Sequence, residues 1–517
     1  MNLEHINHSF KRSIEDNEYI NYDNYKLLNE GKADIVFADD IVKQIKLKFG
    51  NYMIENDFYR GWDVSEGKVI PRGEKVDLIP LISNNSIHKS QARVVKNLCF
   101  AEVPKITSDM EEVFNRINNI DNFTDKLITG IKTTNYSGTV LYKPVYDVET
   151  QDITVDLVSI RNYFPVFSKA NKCIKIAYVE YTCVHEEKED NKKIYRVVIH
   201  ERGKNTTMFC TLENNNFKAI EAENSMKMFS ESIEGVEDLE FNKDFEINLS
   251  DGKLVSEDET VKHVREFKRQ DKFDVAEAFA EPSVGKVYSE SAYSNASLKY
   301  TKNWILTDTI QKQGLQSLLK PKLAIDSTFL TRNLVTGENE INVEKDVFIS
   351  DKKAFENGQV LFQQIPIDLK TSEITEILTN DNNGAKRELG LTDALLGEAT
   401  NGGLSGTAKE LDLIPMLSHC EVIRNNNYQT LKSVLDFAVM EVYNQEFNFT
   451  VTWGELIPAT ETERINEAVI KLNNTLDTEE NILKELLKKD DVSEILALRQ
   501  EKKKEELQKS QNNSTIN

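Results

Sequence analysis

The stretch Leu389–Leu411, LGLTDALLGEATNGGLSGTAKEL, decides how this chain is read. Within it, Gly397–Gly406 carries four glycines and no bulky side chain except Leu404. Such a run has wide backbone choice, and its length suits a mobile connector better than a tight turn. It stops at Thr407 with Glu410 three residues on, the spacing of a capping box that opens a helix. Downstream, Leu431, Val434, Leu435, Ala438 and Val442 recur at helical spacing, which predicts one long helix. Pro415 lies inside it and predicts a kink, because proline removes one backbone bond and crowds the preceding turn.

Upstream of that stretch, Ile374, Ile377 and Leu378 predict a helix over Leu369–Leu391. It is preceded by a compact strand-rich insert, Leu323–Ile365, with a turn at Thr336-Gly337 and short apolar runs at Val347–Ile349 and Val360–Phe362. Before the insert, Ser289–Leu319 reads as one long helix, with Tyr293, Tyr300 and Trp304 on one stripe and Pro321 just past its end. These aromatics read as packing groups in preference to nucleic-acid stacking. Gly314 and Gly384 interrupt the two helices, each costing about 1 kcal/mol against alanine. Close helix packing would favour glycine there.

The first half mixes both periods. Ile41, Ile45, Phe49 and Tyr52 fall at helical spacing, as do Val113, Ile117, Ile120, Leu127 and Ile131. From Gly138 the period becomes two: Val140 and Tyr142, then Ile153, Val155 and Leu157, then runs at Ile176–Val184 and Tyr195–His200. This predicts an antiparallel, meandering sheet. Glu231–Thr260 is acidic and weakly patterned, and reads as a solvated loop or flexible edge. A short strand at Phe447–Trp453, a break at Pro458 and a charged helical remainder close the chain. The fold class is therefore α+β, mainly helical.

Composition bounds the function. With 517 residues, 39% hydrophobic and 29% charged, most of the chain buries a core. No apolar run approaches the roughly 20 residues of a membrane-spanning helix, and the N-terminus is not patterned as a secretory signal. The five cysteines are scattered without a CxxC pair and read as core thiols. A net charge of -22 makes a poor static DNA binder, since grip on phosphates needs a basic face. It permits a wall past which a polyanion slides. There is no GxxxxGK[ST] loop, and GGLSG lacks the spacing of a nucleophile elbow. The single close pair Cys183-x-His185 falls short of a zinc site. No catalytic residue, metal site or cofactor is expected.

Four stretches, in order, resemble portal proteins of tailed phages that infect Gram-positive bacteria: NSIHKSQARVVKNLCFAEVPKI (84–106), SGTVLYKPVYDVETQDITVDLVSIRNYFPVF (137–167), LGLTDALLGEATNGGLSGTAKEL (389–411) and FNFTVTWGELIPATETERINEAV (447–469). The resemblance implies a wing over 1–285 with an antiparallel sheet, stem helices over 286–320 and 368–391, and a clip over 321–367. It further implies a tunnel loop over 392–406, a long kinked wing helix over 407–446, and a crown with a polar tail over 447–517. It implies a homo-oligomeric ring of about twelve subunits at a capsid vertex. Its partners would be major capsid protein, the large terminase subunit, a head-tail adaptor and double-stranded DNA, with no membrane. The implied channel residues are Glu398, Ala399, Thr400, Asn401, Gly402, Gly403 and Leu404, with Glu398 repelling phosphates if it points into the channel. The plain alternative for this segment is a connector. Lys312, Lys320 and Lys322 would be either clip-end DNA contacts or an ordinary solvated face. A virion scaffold or adaptor without a DNA channel is the competing reading.

Overall fold

The computed structural model describes residues 1–49, 62–63, 68–69, 82–147, 149–171, 173–187, 192–231, 246–249, 252–257, 260–281, 286–293, 295–318, 323–326, 331–332, 339–340, 347–350, 362–364, 371–398, 406–454, 456, 468–471, 478–487, 492–493, 495–498, 501 and 504. The class is α+β with antiparallel sheets, as the two periods in the sequence require.

Three helices open the chain: α1 (Leu3–Ile14), α2 (Asn17–Glu30) and α3 (Ala33–Phe49). Asn2 and Asp16 cap the first two by accepting from the amides of His5 (3.1 Å) and Glu18 (3.0 Å). Gly31, at φ 85°, ends α2 in the left-handed conformation that glycine adopts without penalty. Next come α4 (Ile87–Cys99), α5 (Glu111–Ile120) and α6 (Phe123–Ser137). The helical spacing from Val113 to Ile131 is divided between α5 and α6. Asp121 leaves the helix to accept the Val155 amide at 2.8 Å, and Asn122 caps α6 through the amides of Thr124 and Asp125.

The strands that follow are β1 (Thr139–Tyr146), β2 (Ile153–Val158), β3 (Tyr163–Phe167), β4 (Lys175–Glu187), β5 (Lys192–Glu201), β6 (Lys204–Glu213) and β7 (Asn216–Ala219). Helix α7 (Ala222–Ser230) and strands β8 (Glu246–Leu249), β9 (Gly252–Glu257), β10 (Thr260–Glu266) and β11 (Ala276–Phe279) complete the sheet region. Eight described strands form one antiparallel sheet in the order β8-β9-β10-β6-β5-β4-β3, with β7 paired to β6. A second sheet has the order β11-β1-β2. The acidic segment expected as a loop or flexible edge contributes, over its described residues, the edge strand β8 and its neighbour β9. Among its described residues, Leu254 is buried with Phe209, Phe229 and the neighbouring Val261, and Ile247 and Leu249 pack against that cluster.

Aromatic packing fixes the other end of the large sheet. Phe10 of α1 meets Phe164, Tyr181 and Phe217 at ring-centroid distances of 5.2, 5.5 and 4.8 Å, the range in which tilted and edge-to-face pairs are favourable.

Helix α8 (Asn295–Leu318), the strands β12 (Leu323–Asp326), β13 (Val347–Ser350) and β14 (Phe362–Gln364), and helix α9 (Thr371–Glu388) follow in that order. The short strands Thr331–Arg332 and Asn339–Glu340 lie in the same insert. The sequence expected α8 to start at Ser289. It starts six residues later because the preceding backbone is committed elsewhere. Ser289 donates its amide to Thr139 Oγ1 at 2.9 Å, and Ser291 Oγ both accepts from the Tyr293 amide (2.9 Å) and donates to the Tyr136 carbonyl (2.7 Å). Tyr293 is therefore not on the helix stripe. It is wholly buried, with its hydroxyl donating to Asn29 Oδ1 and the His88 carbonyl. Helices α8 and α9 pack along each other. At Gly384 a side chain would sit 2.7 Å from the Tyr300 ring, which explains one of the two interrupting glycines. The side-chain surroundings of Gly314 and the turn at Thr336-Gly337 lie outside the described residues.

The last major elements are the short helix α10 (Asp393–Leu396), the 38-residue α11 (Gly406–Tyr443) and strand β15 (Phe449–Thr452). Helix α11 opens at Gly406, so Thr407 lies in its first turn instead of capping it. Pro415 is inside it. Leu431, Val434, Leu435 and Ala438 are buried on the expected stripe. A separate small unit comprises Phe100–Lys105 and Thr452–Asn517, whose described part includes the helix Glu479–Leu487.

Candidate functional site

The segment joining α9 to α11 is anchored by charge. Helix α9 ends where Gly390 turns the chain at φ 65°, its amide bonded to the Arg387 carbonyl and that of Leu391 to the Lys386 carbonyl. Ala385, Leu389 and Leu391 are buried around this turn. Thr392 then caps α10, and Gly397 at φ 73° closes it, with the Glu398 amide donating to the Asp393 carbonyl at 2.9 Å.

Folding the chain back in this way brings two carboxylates to one lysine. Lys386 Nζ donates to Asp393 Oδ1 at 2.8 Å and to Glu398 Oε2 at 2.6 Å. The lysine is 8% exposed, while both carboxylates are half exposed. Burial opposes the ammonium charge, but the two carboxylates outweigh it and hold the lysine above its ordinary value. The same ammonium holds Asp393 below the usual carboxylate range. A charged, doubly bonded lysine of this kind fixes the position of a loop base.

Glu398 is thus tied to Lys386, and its carboxylate is not a free negative charge. Ala399, Thr400, Asn401, Gly402, Gly403 and Leu404 lie outside the described residues. A cavity of about 260 Å³ lies beside the third and fourth turns of α11, lined by Leu389, Gly390, Pro415, Met416 and His419 among others. His419 is held neutral by burial, down to about 4, and its Nε2–H donates to Asn135 Oδ1 at 3.0 Å.

Of the three lysines singled out by sequence, Lys312 is described. Its Nζ bonds Asp308 Oδ2 at 2.6 Å, one helical turn away, and Ser83 Oγ at 3.4 Å, with the side chain 60% exposed. It is a paired surface cation on α8. Lys320 and Lys322 lie outside the described residues. Cys183 directs its thiol at the His185 carbonyl, 3.6 Å away. Among the described residues no group of three or more His, Cys, Asp or Glu is placed to hold a metal ion, and no helix is long and apolar enough to cross a membrane.

Sequence reasoning missed Lys386 altogether. Its partners lie 7 and 12 residues on, too far along one continuous helix or strand for the side chains to touch. Only the Gly390 turn and the Thr392 cap bring them together.

No family model matches the chain, and no curated protein matches it. Among solved structures, it is similar to a chain of the virion of a native gene transfer agent particle, at 9% identity and a TM-score of 0.39, covering 78% of this chain and 89% of that one. A chain from the neck of the native particle computed with C12 symmetry has 10% identity, a TM-score of 0.39 and coverage of 78% and 89%. A chain from the neck of the empty particle computed with C6 symmetry has 10% identity, the same TM-score and coverage of 78% and 90%.

Proposed function

We propose that the chain is the subunit of a portal ring, the channel through which a tailed virus packages and ejects its DNA and on which the tail docks. One observation carries the reading. Two helices, α8 and α9, pack along each other and are joined by a strand-rich insert. They lead through a glycine-rich segment with a charged anchor into a 38-residue helix. In this reading α8 and α9 are the stem, the insert is the clip, the sheet-bearing body is the wing, and Glu398–Leu404 form the tunnel loop. The ring has about twelve copies and meets the capsid protein, the terminase and an adaptor. No step of chemistry is assigned to it.

The acidic balance fits a conduit. At -22 per chain a ring repels phosphates as a whole, and the described clip-end lysine, Lys312, is already neutralised by Asp308. Free duplex DNA is therefore expected to bind weakly, in the micromolar range or weaker at physiological salt. The dependence of affinity on salt should be shallow, checked by a fluorescence anisotropy titration between about 50 and 200 mM salt. Nanomolar binding would mean that a basic stripe dominates the channel. The experiment that tests the proposal as a whole is the assembly state of the purified chain.

A further inference from the structure

Three ion pairs link the eight-stranded sheet to the three-stranded one or to the segment that leads into its strand β11. His200 of β5 directs Nδ1–H at both oxygens of Asp274, at 2.9 and 2.8 Å, just ahead of β11. Lys143 of β1 bonds both oxygens of Glu180 on β4, each at 2.9 Å. Lys175 of β4 bonds Glu277 of β11, whose other oxygen accepts from Tyr163 at 3.0 Å. His200, Glu180 and Asp274 are 2%, 9% and 5% exposed, and the Glu277 side chain is 5% exposed. The three cations balance the three anions. His200 Nε2 lies 3.6 Å from Glu180 Oε2, so the imidazole is flanked by carboxylates of two separate pairs. Asn205 of β6 adds a bond to Asp274 at 3.3 Å.

We propose that these six residues form an ionic joint between the two sheets, with His200 as an imidazolium pin that opens in alkali. Ion pairs withdrawn from water contribute little net stability against an apolar interface. What they impose is orientation, because each pair is satisfied in one mutual placement of the sheets. Removing one charge leaves its partner buried and unpaired, which is the costly state.

The charge of His200 decides the joint. Burial disfavours the imidazolium, but Asp274 and Glu180 outweigh burial and raise His200 to about 9. Stability from the raised imidazole is fully present below the ordinary histidine value and is lost as pH rises through about 9. Glu180 is held down to about 2 by His200 and Lys143 against the opposing effect of burial, so it stays charged in mild acid. The other groups facing the joint are Tyr178 of β4 and Tyr146 of β1, with Arg265 of β10 over the Tyr146 ring. Burial holds both tyrosines well above their ordinary range, so they do not titrate with His200.

Hydrogen–deuterium exchange of Val197–Glu201 and Ala276–Phe279, corrected for intrinsic rate, tests this between pH 7 and 10. Wild type is expected to open roughly 50- to 100-fold more across that interval, the linkage ratio for a histidine raised to about 9, and His200→Gln to lose the step. Asp274→Asn, which removes the principal partner of the imidazolium, should move the step down by about one pH unit or more. It also keeps the test alive if His200→Gln does not fold. A wild type without a step, a His200→Gln variant that keeps it, or an unmoved step in Asp274→Asn would overturn the joint.

Discussion

Replacing Gly130 by alanine is expected to destabilise the body by about 3 kcal/mol, an overpacking cost near the top of its usual range. A side chain at this position of α6 would lie 1.7 Å from the Tyr142 hydroxyl and 2.7 Å from Asn427 Oδ1. Neither neighbour can yield. Tyr142 is wholly buried, and its hydroxyl donates to Asn427 Oδ1 at 2.7 Å. Asn427, also wholly buried, accepts from Thr134 Oγ1 and donates to the Ile423 carbonyl. The added methyl must therefore push β1 or α11 away or break this bond. The gain of about 1 kcal/mol in helix propensity does not offset that. Urea unfolding is the check, read as a shift in midpoint at constant slope. In a Tyr142→Phe background the nearest atom is gone, so the same substitution should cost about 1 kcal/mol less, a coupling between contacting residues. A Gly130→Ala variant within about 0.5 kcal/mol of wild type would show that α6, β1 and α11 do not meet here.

Deleting Ala399–Leu404 while keeping Glu398 should leave the fold nearly untouched and abolish most of the function. Lys386 keeps both carboxylate partners in this variant, so the loop base stays anchored. Stability should change by no more than about 1 kcal/mol, the range of surface changes. If the segment guides DNA in the channel, the yield of DNA-filled heads should fall on the order of tenfold, as for loops that carry function on a rigid scaffold. Thermal melting and a packaging assay measure the two halves. A deletion that prevents assembly, or one that packages normally, would remove the loop from the channel.

What the sequence made legible was local. The period-two runs around Tyr142, Val155 and Ile199 became strands, and the stripe from Leu431 to Ala438 became the buried face of α11, because alternation and helical spacing are properties of neighbouring residues. What it hid was long-range. The break at Asp121 depends on an amide 34 residues away, and the late start of α8 depends on Thr139 and Tyr136. The edge strand β8 and its neighbour β9 were hidden in a segment whose acidic composition reads as a loop. The cross-sheet pairs join residues 37 to 102 positions apart, and each looks like an ordinary surface charge in a chain that is 29% charged. Lys386 was invisible for the same reason on a smaller scale. The loop Glu398–Leu404 was legible as a candidate from its glycines, but its anchor was not.

A portal subunit must form a ring with copies of itself through α8 and α9. Ile377 of α9 is 49% exposed, an apolar group that a neighbouring copy would cover. Light scattering coupled to size exclusion, with negative-stain images of the same peak, measures assembly directly at micromolar concentration. The expected result is a closed ring near 0.7 MDa, about twelve copies of the 59.2 kDa chain. A monomer or dimer with no ring in the images would contradict the portal reading.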